Sequence, residues 1–414
     1  MTEKTNVPKI RFAGFTDPWE QRKFSDLTDR VSIQSSDSDL PQVEYEDIVS
    51  GEGTLNKDLH DKEGGKTGIK FYAGDVLYGK LRPYLMNWLY PQFNGIAVGD
   101  FWVLRATECD SSFLYRLVQT DSFQRLANVS TGSKMPRADW NLISQSFFAV
   151  PADYAEQKAI AKSLAELDSL ITLHQRKHEK LVQLKKSMLD KMFPKPGETE
   201  PEIRFAGFTD PWEQRKLGEL LLFQNGFNGS SESFGSGIPL ISVMDVLDDE
   251  FITHETVRGK ARLNYEEASR YCVEYGDVLF QRSSENQEDA GTSNVYLDQH
   301  VPSAFGGFVI RGKKVDEYNP IFIKYLLGSS FIREQITHRA QGAQHINVSQ
   351  DTLAGVVLLM PSMREQEAVG LVFLHLANLI TLHQREPTHM MKEGKNANRY
   401  QWRIAFLRLL LAMD

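Results

Sequence analysis

The sequence predicts an α+β fold made of two globular regions in tandem repeat, joined by two long helices. The tandem arrangement follows from three recurring segments. IRFAGFTDPWEQRK occupies 10–23 and returns unchanged at 203–216, LITLHQR recurs at 170–176 and 379–385, and GDVL recurs at 74–77 and 276–279. The pairs keep one order, so the chain is two copies of one unit. Two long copies are too few for a solenoid, which stacks short repeats.

Composition is ordinary for a globular protein. The 414 residues are 41% hydrophobic and 25% charged, with a net charge of −8. Cys109 and Cys272 stand at unmatched places in the two halves, so neither a disulfide framework nor a cysteine metal site is predicted. The first residues are hydrophilic, and no apolar run approaches the roughly 18 residues of a membrane span. We therefore expect a cytoplasmic protein without membrane contact.

The repeats divide the chain into seven segments. They are an N-terminal motif at 1–23, a globular region at 24–150, a long helix at 151–195, a linker with the repeated motif at 196–216, a second globular region at 217–360, a second, shortened helix at 361–386 and a divergent tail at 387–414.

Both globular regions mix strand-like and helical patterns. Short apolar runs such as IKFYAGDVLYG, FWVLRA and IPLISVMDV, broken by Gly, Asn and Asp, are typical of strands and hairpins. SSFLYRLVQTDSFQRLANV in the first region and NPIFIKYLLGSSFIREQITHRA in the second have helical periodicity, and each predicts a helix. These patterns give the α+β class.

Long helices follow both regions. No Pro or Gly interrupts the chain from Ala155 to Pro194, which predicts a helix of about 38 residues, roughly 57 Å long. Apolar residues recur in steps of three and four, at Ile160, Leu164, Leu167, Ile171 and Leu181 and, in the second copy, at Val369, Phe373, Leu376 and Ile380. This spacing favours two helices packed on one another. The alternative is that each helix lies on its own domain. Histidines on the seam are interpreted as packed or partly exposed core residues, not metal ligands.

The two copies diverge after Arg385. Pro387 is predicted to stop or kink the second helix there, and the tail matches nothing in the first half. We hypothesise a frame change or recombination near residue 386, which mass spectrometry of the natively expressed protein tests.

Polar loops with nucleic-acid-binding side chains follow the strands. In the first region they carry Lys80, Arg82 and Tyr84, then Lys134 and Arg137; in the second they carry Gln281, Arg282 and Ser283, then Gln344, His345 and Asn347. Such side chains read base edges and phosphates. Solvated surface loops look much the same. The two globular regions are acidic, with net charges of −5 over 24–150 and −8 over 217–360, which counts against a non-specific nucleic-acid binder. The segment 156–195 is basic, with a net charge of +4.

No reaction centre is recognisable. The chain lacks a phosphate-binding loop, a dinucleotide fingerprint, GxSxG, HExxH and the Asn/Asp-Pro-Pro-aromatic motif of amino-methyltransferases. Glu156-Gln157-Lys158 superficially resembles half of a nuclease site, but is interpreted as the acidic first turn of a helix. We expect neither a bound metal nor a bound cofactor.

The repeated motif, the GDVL strands, the proline followed by Glu-Gln before each helix, and two unlike variable regions resemble the specificity subunit (HsdS) of type I restriction-modification systems. The resemblance covers about 7–385. It implies that each variable region is a target-recognition domain for one half of a bipartite double-stranded DNA site. It also implies that the helices form an antiparallel coiled coil. Methylation and cleavage then belong to modification and restriction subunits, where S-adenosylmethionine, ATP and Mg are expected.

Two other functions remain open. One is a non-productive or truncated variant that acts as a coiled-coil scaffold and binds modification subunits without reading DNA. The departure after Arg385 raises that alternative, because in the family the second helix continues. The other is a self-sufficient methyltransferase or nuclease, which the missing motifs disfavour.

Overall fold

The structure is a computed structural model that describes residue 8 and residues 11–59, 64–129, 135–299, 301–340, 342 and 345–389, with side chains described as far as His383. The chain divides into two compact units, one ending at His174 and one comprising Gln175–Thr388. None of the helices within the described ranges is long and apolar enough to cross a membrane.

The first unit contains short strands and helices followed by one long helix. Its strands are β1 (Glu20–Lys23), β2 (Thr28–Val31), β3 (Gln34–Ser35), β4 (Gln42–Val43), β5 (Ile48–Val49), β6 (Thr54–Leu55), β7 (Gly68–Phe71), β8 (Val76–Gly79), β9 (Trp88–Leu89), β10 (Gly95–Ala97), β11 (Phe101–Ala106) and β12 (Phe147–Val150). Its helices are α1 (Phe24–Leu27), α2 (Ser111–Leu117), α3 (Asp121–Ala127), α4 (Trp140–Gln145) and α5 (Tyr154–Lys191), with 3-10 turns at Tyr45–Asp47 and Pro83–Leu85. Helix α5 continues into the second unit.

Two larger sheets shape this unit. One has the antiparallel order β2-β11-β8-β9, and the other has the order β3-β7-β10-β4, in which β4 and β10 are parallel. The repeated motif ends in β1, which pairs antiparallel with β12, so Glu20 lies opposite Val150. That pair brings the start of the region beside its end, directly before α5.

The second unit repeats this plan. Its strands are β13 (Glu213–Lys216), β14 (Leu221–Asn225), β15 (Phe234–Ile241), β16 (Gly259–Ala261), β17 (Val278–Gln281), β18 (Ser283–Ser284), β19 (Ser293–Val295), β20 (Ala304–Phe305), β21 (Val309–Lys314), β22 (Ile346–Asn347) and β23 (Val357–Met360). Its helices are α6 (Leu217–Leu220), α7 (Val243–Val246), α8 (Tyr265–Tyr271), α9 (Pro320–Leu327), α10 (Ser330–Arg339), α11 (Gln350–Ala354) and α12 (Met363–His389), with 3-10 turns at Ser231–Ser233 and Gln287–Asp289.

Sheet order confirms the internal repeat. The order β14-β21-β17-β19 reproduces β2-β11-β8-β9, and β13 pairs with β23 as β1 pairs with β12. The smaller sheet is β16-β15-β20, and its β15 and β20 are parallel as β4 and β10 are. Both regions are therefore mixed α and β, as the sequence predicts.

Each predicted helix of the globular regions is in fact two short helices. In the first unit, the Thr120 side chain accepts a hydrogen bond from Phe123 N and caps α3, which begins four residues after α2 ends. In the second unit, Gly328 ends α9 and Ser329 precedes α10. The Thr120 hydroxyl satisfies a free N–H group in the first turn of α3, whereas the Ser329 side chain makes no such bond to α10.

Helix α5 has the predicted length, whereas helix α12 ends later than predicted. Helix α5 spans 38 residues, as expected. Helix α12 runs to His389, two residues past Pro387, so the helix does not stop at the proline, and the other predicted outcome, a kink there, stays a prediction. Proline removes one backbone N–H bond and crowds the preceding turn, which weakens a helix without always ending it. Residues 390–414 of the tail lie outside the described residues.

Candidate nucleic-acid interface

The two predicted loops of the first unit lie side by side. Leu81 and Arg137 form an antiparallel bridge. On either side of it, Arg82 N donates to Pro136 O at 2.7 Å, and Ala138 N donates to Lys80 O at 2.8 Å. We call residues 80–82 with 136–138 the first loop pair. The backbone therefore brings Lys80, Arg82 and Arg137 to one small surface, whereas Lys134 lies outside the described residues.

Asp100 organises the cations of the first loop pair. Lys80 Nζ lies 3.5 Å from one carboxylate oxygen of Asp100, and Arg137 Nη2 donates to the other at 2.9 Å. The Arg137 side chain remains 60% exposed, so it can still reach a ligand. The Tyr45 hydroxyl donates to Asp100 O at 2.6 Å and accepts from Leu81 N at 3.0 Å, and burial raises the pKa of Tyr45. The neutral Tyr45 hydroxyl thus links the residue before β11 to the backbone of the first loop pair.

A strained turn follows the first loop pair. Arg82 and Met86 both adopt left-handed backbone conformations, with φ of 49° and 54°. Such conformations cost roughly 1–3 kcal/mol each in residues other than glycine and cluster at functional sites. The turn between them, Pro83–Leu85, leaves Tyr84 53% exposed. Arg82 is half-buried, and its Nε has no hydrogen-bond partner among the described residues.

The second unit brings its loops together in the same register. Ser283 lies opposite Asn347 and Ser284 opposite Ile346, while Val348 N donates to Arg282 O at 3.0 Å. We call residues 282–284 with 346–348 the second loop pair. Arg282 N donates to Phe308 O just as Lys80 N donates to Asp100 O, each at 2.9 Å. The hydrogen bonds therefore make Arg282, Phe308 and Asn347 equivalent to Lys80, Asp100 and Arg137.

Side chains of the second loop pair are mostly neutral. The Ser283 hydroxyl donates to the side-chain oxygen of Asn347, and Asn347 Nδ2 donates to His345 O at 3.1 Å. His345 and Asn347 are exposed, and Arg282 is half-buried with its Nη1 donating to Gly307 O at 3.4 Å. Gln344 lies outside the described residues.

Gln281 corrects the sequence interpretation. It is the last residue of β17 and is only 5% exposed, with its side-chain nitrogen donating to Ser283 O at 2.9 Å. A glutamine amide below the surface cannot meet a base edge, so the prediction that Gln281 contacts DNA is wrong for this conformation. A strand end and a loop start look alike in sequence, which is why the pattern included it.

The repeated motif anchors each globular region to its helix. Arg11 donates to both carboxylate oxygens of Glu156, through Nε at 2.6 Å and Nη2 at 2.7 Å, and Trp19 Nε1 donates to the same carboxylate at 3.3 Å. Arg204 and Trp212 hold Glu365 in the same way, at 2.7, 2.9 and 3.3 Å. We call these the first and second anchor clusters.

Both anchor glutamates are 1% exposed. Glu156 lies in the first turn of α5 as interpreted, but it is a buried ion-pair partner and not a solvated helix-end charge. The neighbouring Gln residues complete the junction: Gln157 accepts from Asp110 N at 2.7 Å, and Gln366 accepts from Asn319 N at 3.0 Å. This contact explains why Glu-Gln recurs at the start of both long helices.

The GDVL repeat marks a buried ion pair at the start of a central strand. Asp75 accepts from Arg105 Nε at 2.8 Å and from Tyr72 N at 2.8 Å. Asp277 accepts from Arg311 Nε at 2.6 Å and from Glu274 N at 2.8 Å. Burial raises the pKa of Asp277, and the Arg311 guanidinium opposes that rise. The preceding glycines have φ of 91° and 89°, a turn conformation that favours glycine.

Several residues of the predicted helix seam belong to domain cores. Ile160 and Leu164 pack in the core of the first unit with Trp19, and Val369 and Phe373 pack in that of the second with Trp212. Ile160, Leu164 and Val369 thus fit the alternative of a helix lying on its own domain, because each helix begins against its own globular region, whereas Phe373 also contacts Phe193, just after the end of the first long helix. Farther along, Leu376 is 8% exposed, and the remaining seam residues are half-buried: Leu167, Ile171, Leu181 and Ile380.

Within the second unit, the end of α5 lies against α12. The rings of Phe193 and Phe373 stack with centroids 5.6 Å apart. Lys185 of α5 lines a cavity of about 760 Å³ together with Ala377, Ile380 and Thr381 of α12. Because Phe193 follows Lys185 whereas Phe373 precedes Ile380, the two helices run in opposite directions here.

The candidate site holds no recognisable reaction centre. In the described ranges, no group of three or more His, Cys, Asp or Glu side chains is arranged to hold a metal ion. What the loop pairs offer is hydrogen-bond donors and acceptors on a braced backbone. Asp100, Tyr45 and Phe308 were missed from sequence, because their places are set by backbone hydrogen bonds between distant segments.

Curated proteins with similar sequences are specificity subunits of type I restriction enzymes. No protein-family model matches the chain. It is 23% identical over 294 residues to the type I restriction enzyme MjaVIII specificity subunit of Methanocaldococcus jannaschii, covering 69% of this chain and 68% of that relative. It is 26% identical over 174 residues to the EcoDI specificity subunit of Escherichia coli, covering 40% of this chain and 39% of that relative.

Solved structures share the fold. The type I restriction-modification S subunit from M. genitalium matches with a TM-score of 0.55 and 13% identity, covering 92% of this chain and 94% of that one. A chain from a study of assembly and conformational transition in a type I restriction-modification system matches with a TM-score of 0.51 and 18% identity over 97% of both. The resemblance to type I specificity subunits drawn from the sequence is confirmed by these relatives.

Proposed function

We propose that this chain, similar throughout to type I specificity subunits, is the DNA sequence-recognition subunit of a type I restriction-modification complex. The observation that carries the proposal is the equivalence of the two loop pairs. One hydrogen-bonded backbone frame appears twice and presents different side chains each time. A duplicated frame with unlike side chains is what reading two unlike half-sites of a bipartite target requires.

Each loop pair reads one half-site in this proposal. Arg137 and Lys80 suit guanine edges and phosphates, because arginine and lysine donate to the acceptors of guanine in the major groove. Asn347 suits adenine, which presents a donor and an acceptor side by side. Ser283, through its hydrogen bond to Asn347, holds that amide in place.

The long helices set the distance between half-sites. Helix α5 has 38 residues, so it is roughly 57 Å long. The opposed directions of α5 and α12 within the second unit support the antiparallel coiled coil. Fixed separation between two DNA-reading elements imposes fixed half-site spacing, as it does in dimeric DNA-binding proteins.

In this proposal the partner subunits carry out catalysis and make most of the contacts to DNA phosphates. With a net charge of −8, this chain cannot neutralise many phosphates alone. Modification subunits bind S-adenosylmethionine and methylate adenine, and restriction subunits use ATP and Mg to cleave. The complex acts in the cytoplasm, and this chain contributes no cofactor.

Methylome sequencing tests the proposal. A strain carrying only this specificity gene, together with its modification subunit, should methylate adenine at one split motif, and deletion of the gene should remove that methylation. An R137A/N347A double variant should change the motif without abolishing co-purification with the modification subunit. A chain that co-purifies but directs no methylation is instead the non-reading scaffold.

A further inference from the structure

The turn after the first loop pair is held rigidly. Leu85 N donates to Arg82 O at 2.8 Å, Met86 N donates to Pro83 O at 2.9 Å, and Gly51 N donates to Met86 O at 3.0 Å. The Ser50 hydroxyl also donates to Leu85 O. A three-residue turn with both flanking residues in left-handed conformation is therefore fastened to a separate hairpin, and its tip is not a loose loop.

The tip presents apolar side chains to solvent. Tyr84 is 53% exposed and Leu85 37% exposed, whereas Pro83 beneath them is buried. Holding two large apolar groups outward at the cost of two left-handed residues is unfavourable for an isolated domain. Strain of this kind is retained where the exposed group has a ligand.

Three cations belong to the loop pair that adjoins the tip, and they indicate what that ligand is. Lys80 and Arg82 precede it in the chain, and Arg137 is tied to the same loop pair by the Leu81 bridge. Basic side chains flanking an apolar projection suit duplex DNA, because phosphates meet the cations while the apolar group meets the stacked bases. Proteins that kink DNA insert Leu, Phe, Ile, Met or Pro between base steps in this way.

The second unit lacks this tip. The hydrogen-bond register makes Ser284 equivalent to Arg82, and the chain then continues as the exposed polar and acidic residues Glu285, Asn286 and Gln287. An acidic segment would repel phosphates and offers no apolar wedge. The two units therefore differ in how they treat DNA, beyond which bases they read.

We infer that Tyr84 and Leu85 form a wedge that enters between two base pairs of the first half-site and partly unstacks them, so that this half-site is recognised by deformability as well as by base edges. The inference rests on the proposed function. It predicts that flexible pyrimidine–purine steps at the wedge position bind better than stiff ones.

Fluorescence of 2-aminopurine tests the wedge. The purified complex of this chain with its modification subunit is bound to duplexes of the methylated motif. The probe is placed at successive steps of either half-site, away from the methylated adenines. The intact complex should raise fluorescence at one step of the first half-site. A Y84A/L85A variant should abolish that rise and weaken binding roughly ten- to a hundredfold, the range found for removal of a stacking side chain.

Two controls separate the outcomes. Tyr84→Phe keeps the ring and should keep the signal, and Tyr154→Ala removes a tyrosine of similar exposure, 47%, at the start of α5 and should change nothing. Unchanged fluorescence and affinity in Y84A/L85A, with motif-specific binding intact, overturns the wedge alone. Equal binding of the intact complex to motif and scrambled duplexes overturns the proposed function and the wedge together.

Discussion

The two loop pairs place different chemistry on one backbone frame. Equivalent positions carry Lys80, Asp100 and Arg137 in the first unit and Arg282, Phe308 and Asn347 in the second. In the first, a carboxylate ties two cations together; in the second, a 71% exposed ring and an amide flank one cation. The difference shows that the hydrogen-bonded backbone fixes the position of each side chain, whereas the residue type at that position decides what the side chain can bind.

The anchor clusters show the opposite pattern, since Arg, Trp and Glu recur with distances that differ by at most 0.2 Å between the units. A junction between domain and helix has one mechanical task in both halves, so its residues do not vary. In the proposed function the two loop pairs read different half-sites, which accounts for the variation in their residues.

The largest effect should come from the central ion pairs, whose burial differs between units. Asp277→Ala removes the close partner of Arg311, which is 3% exposed and keeps a longer, 3.5 Å contact with Glu274, and should destabilise the second unit by about 3–5 kcal/mol. Asp75→Ala should cost the first unit about 1–3 kcal/mol, because the Arg105 side chain is 39% exposed and can be rehydrated. Hydrogen exchange resolved by unit measures both losses. Equal losses would contradict the burial argument.

Disrupting either anchor cluster should destabilise its unit by a similar amount. Arg11→Ala and Arg204→Ala each strand a buried glutamate that retains only the tryptophan N–H, so each should cost about 2–4 kcal/mol. Exchange at the first turns of α5 and α12 reports the loss. Arg215→Ala is the matched control from the same motif, because its ion pairs with Glu219 and Asp316 lie at the surface, where solvent screens them, and their loss should leave this exchange unchanged. A large effect in only one unit would show that the clusters are not equivalent.

Reading residues should act on one half-site each. Arg137→Ala should cost about 1–3 kcal/mol of discrimination at one position of the first half-site. Asn347→Ala should do the same in the second, without the change in salt dependence that follows loss of a cation. Binding of the modification complex to duplexes substituted in either half-site, measured over a salt series, separates the two. An Arg137→Ala variant with altered second half-site preference would refute the assignment of one half-site per unit.

The smallest effect should follow Asp100→Asn. This change removes the negative charge between Lys80 and Arg137, and should alter stability by less than about 1 kcal/mol because the ion pairs are exposed. Two released cations should strengthen non-specific binding of the complex and steepen its salt dependence. Filter binding to a scrambled duplex at two salt concentrations measures this. Weaker non-specific binding would mean that Asp100 positions the cations for phosphate contact.

Much of the architecture was predictable because it depends on local pattern. The repeats indicated the tandem units, and uninterrupted helical spacing indicated the 38 residues of α5; the polar loops after the strands were recognised as separate segments, without their pairing. Burial was less predictable. Gln281 ends a buried strand, and Ile160 and Val369 face domain cores, because apolar spacing shows that a face is buried but not what covers it.

By itself, then, the sequence determined the duplication, the α+β class, the long helices and the kind of side chain in each loop. Only the tertiary structure decided that loops 56 and 64 residues apart pair as one surface, that Asp100 and Phe308 stand at equivalent positions, and that Glu156 and Glu365 are buried anchors. The physical reason is that periodicity and turn chemistry act over a few neighbouring residues. Cross-strand hydrogen bonds and buried ion pairs, in contrast, join residues that the chain order keeps far apart.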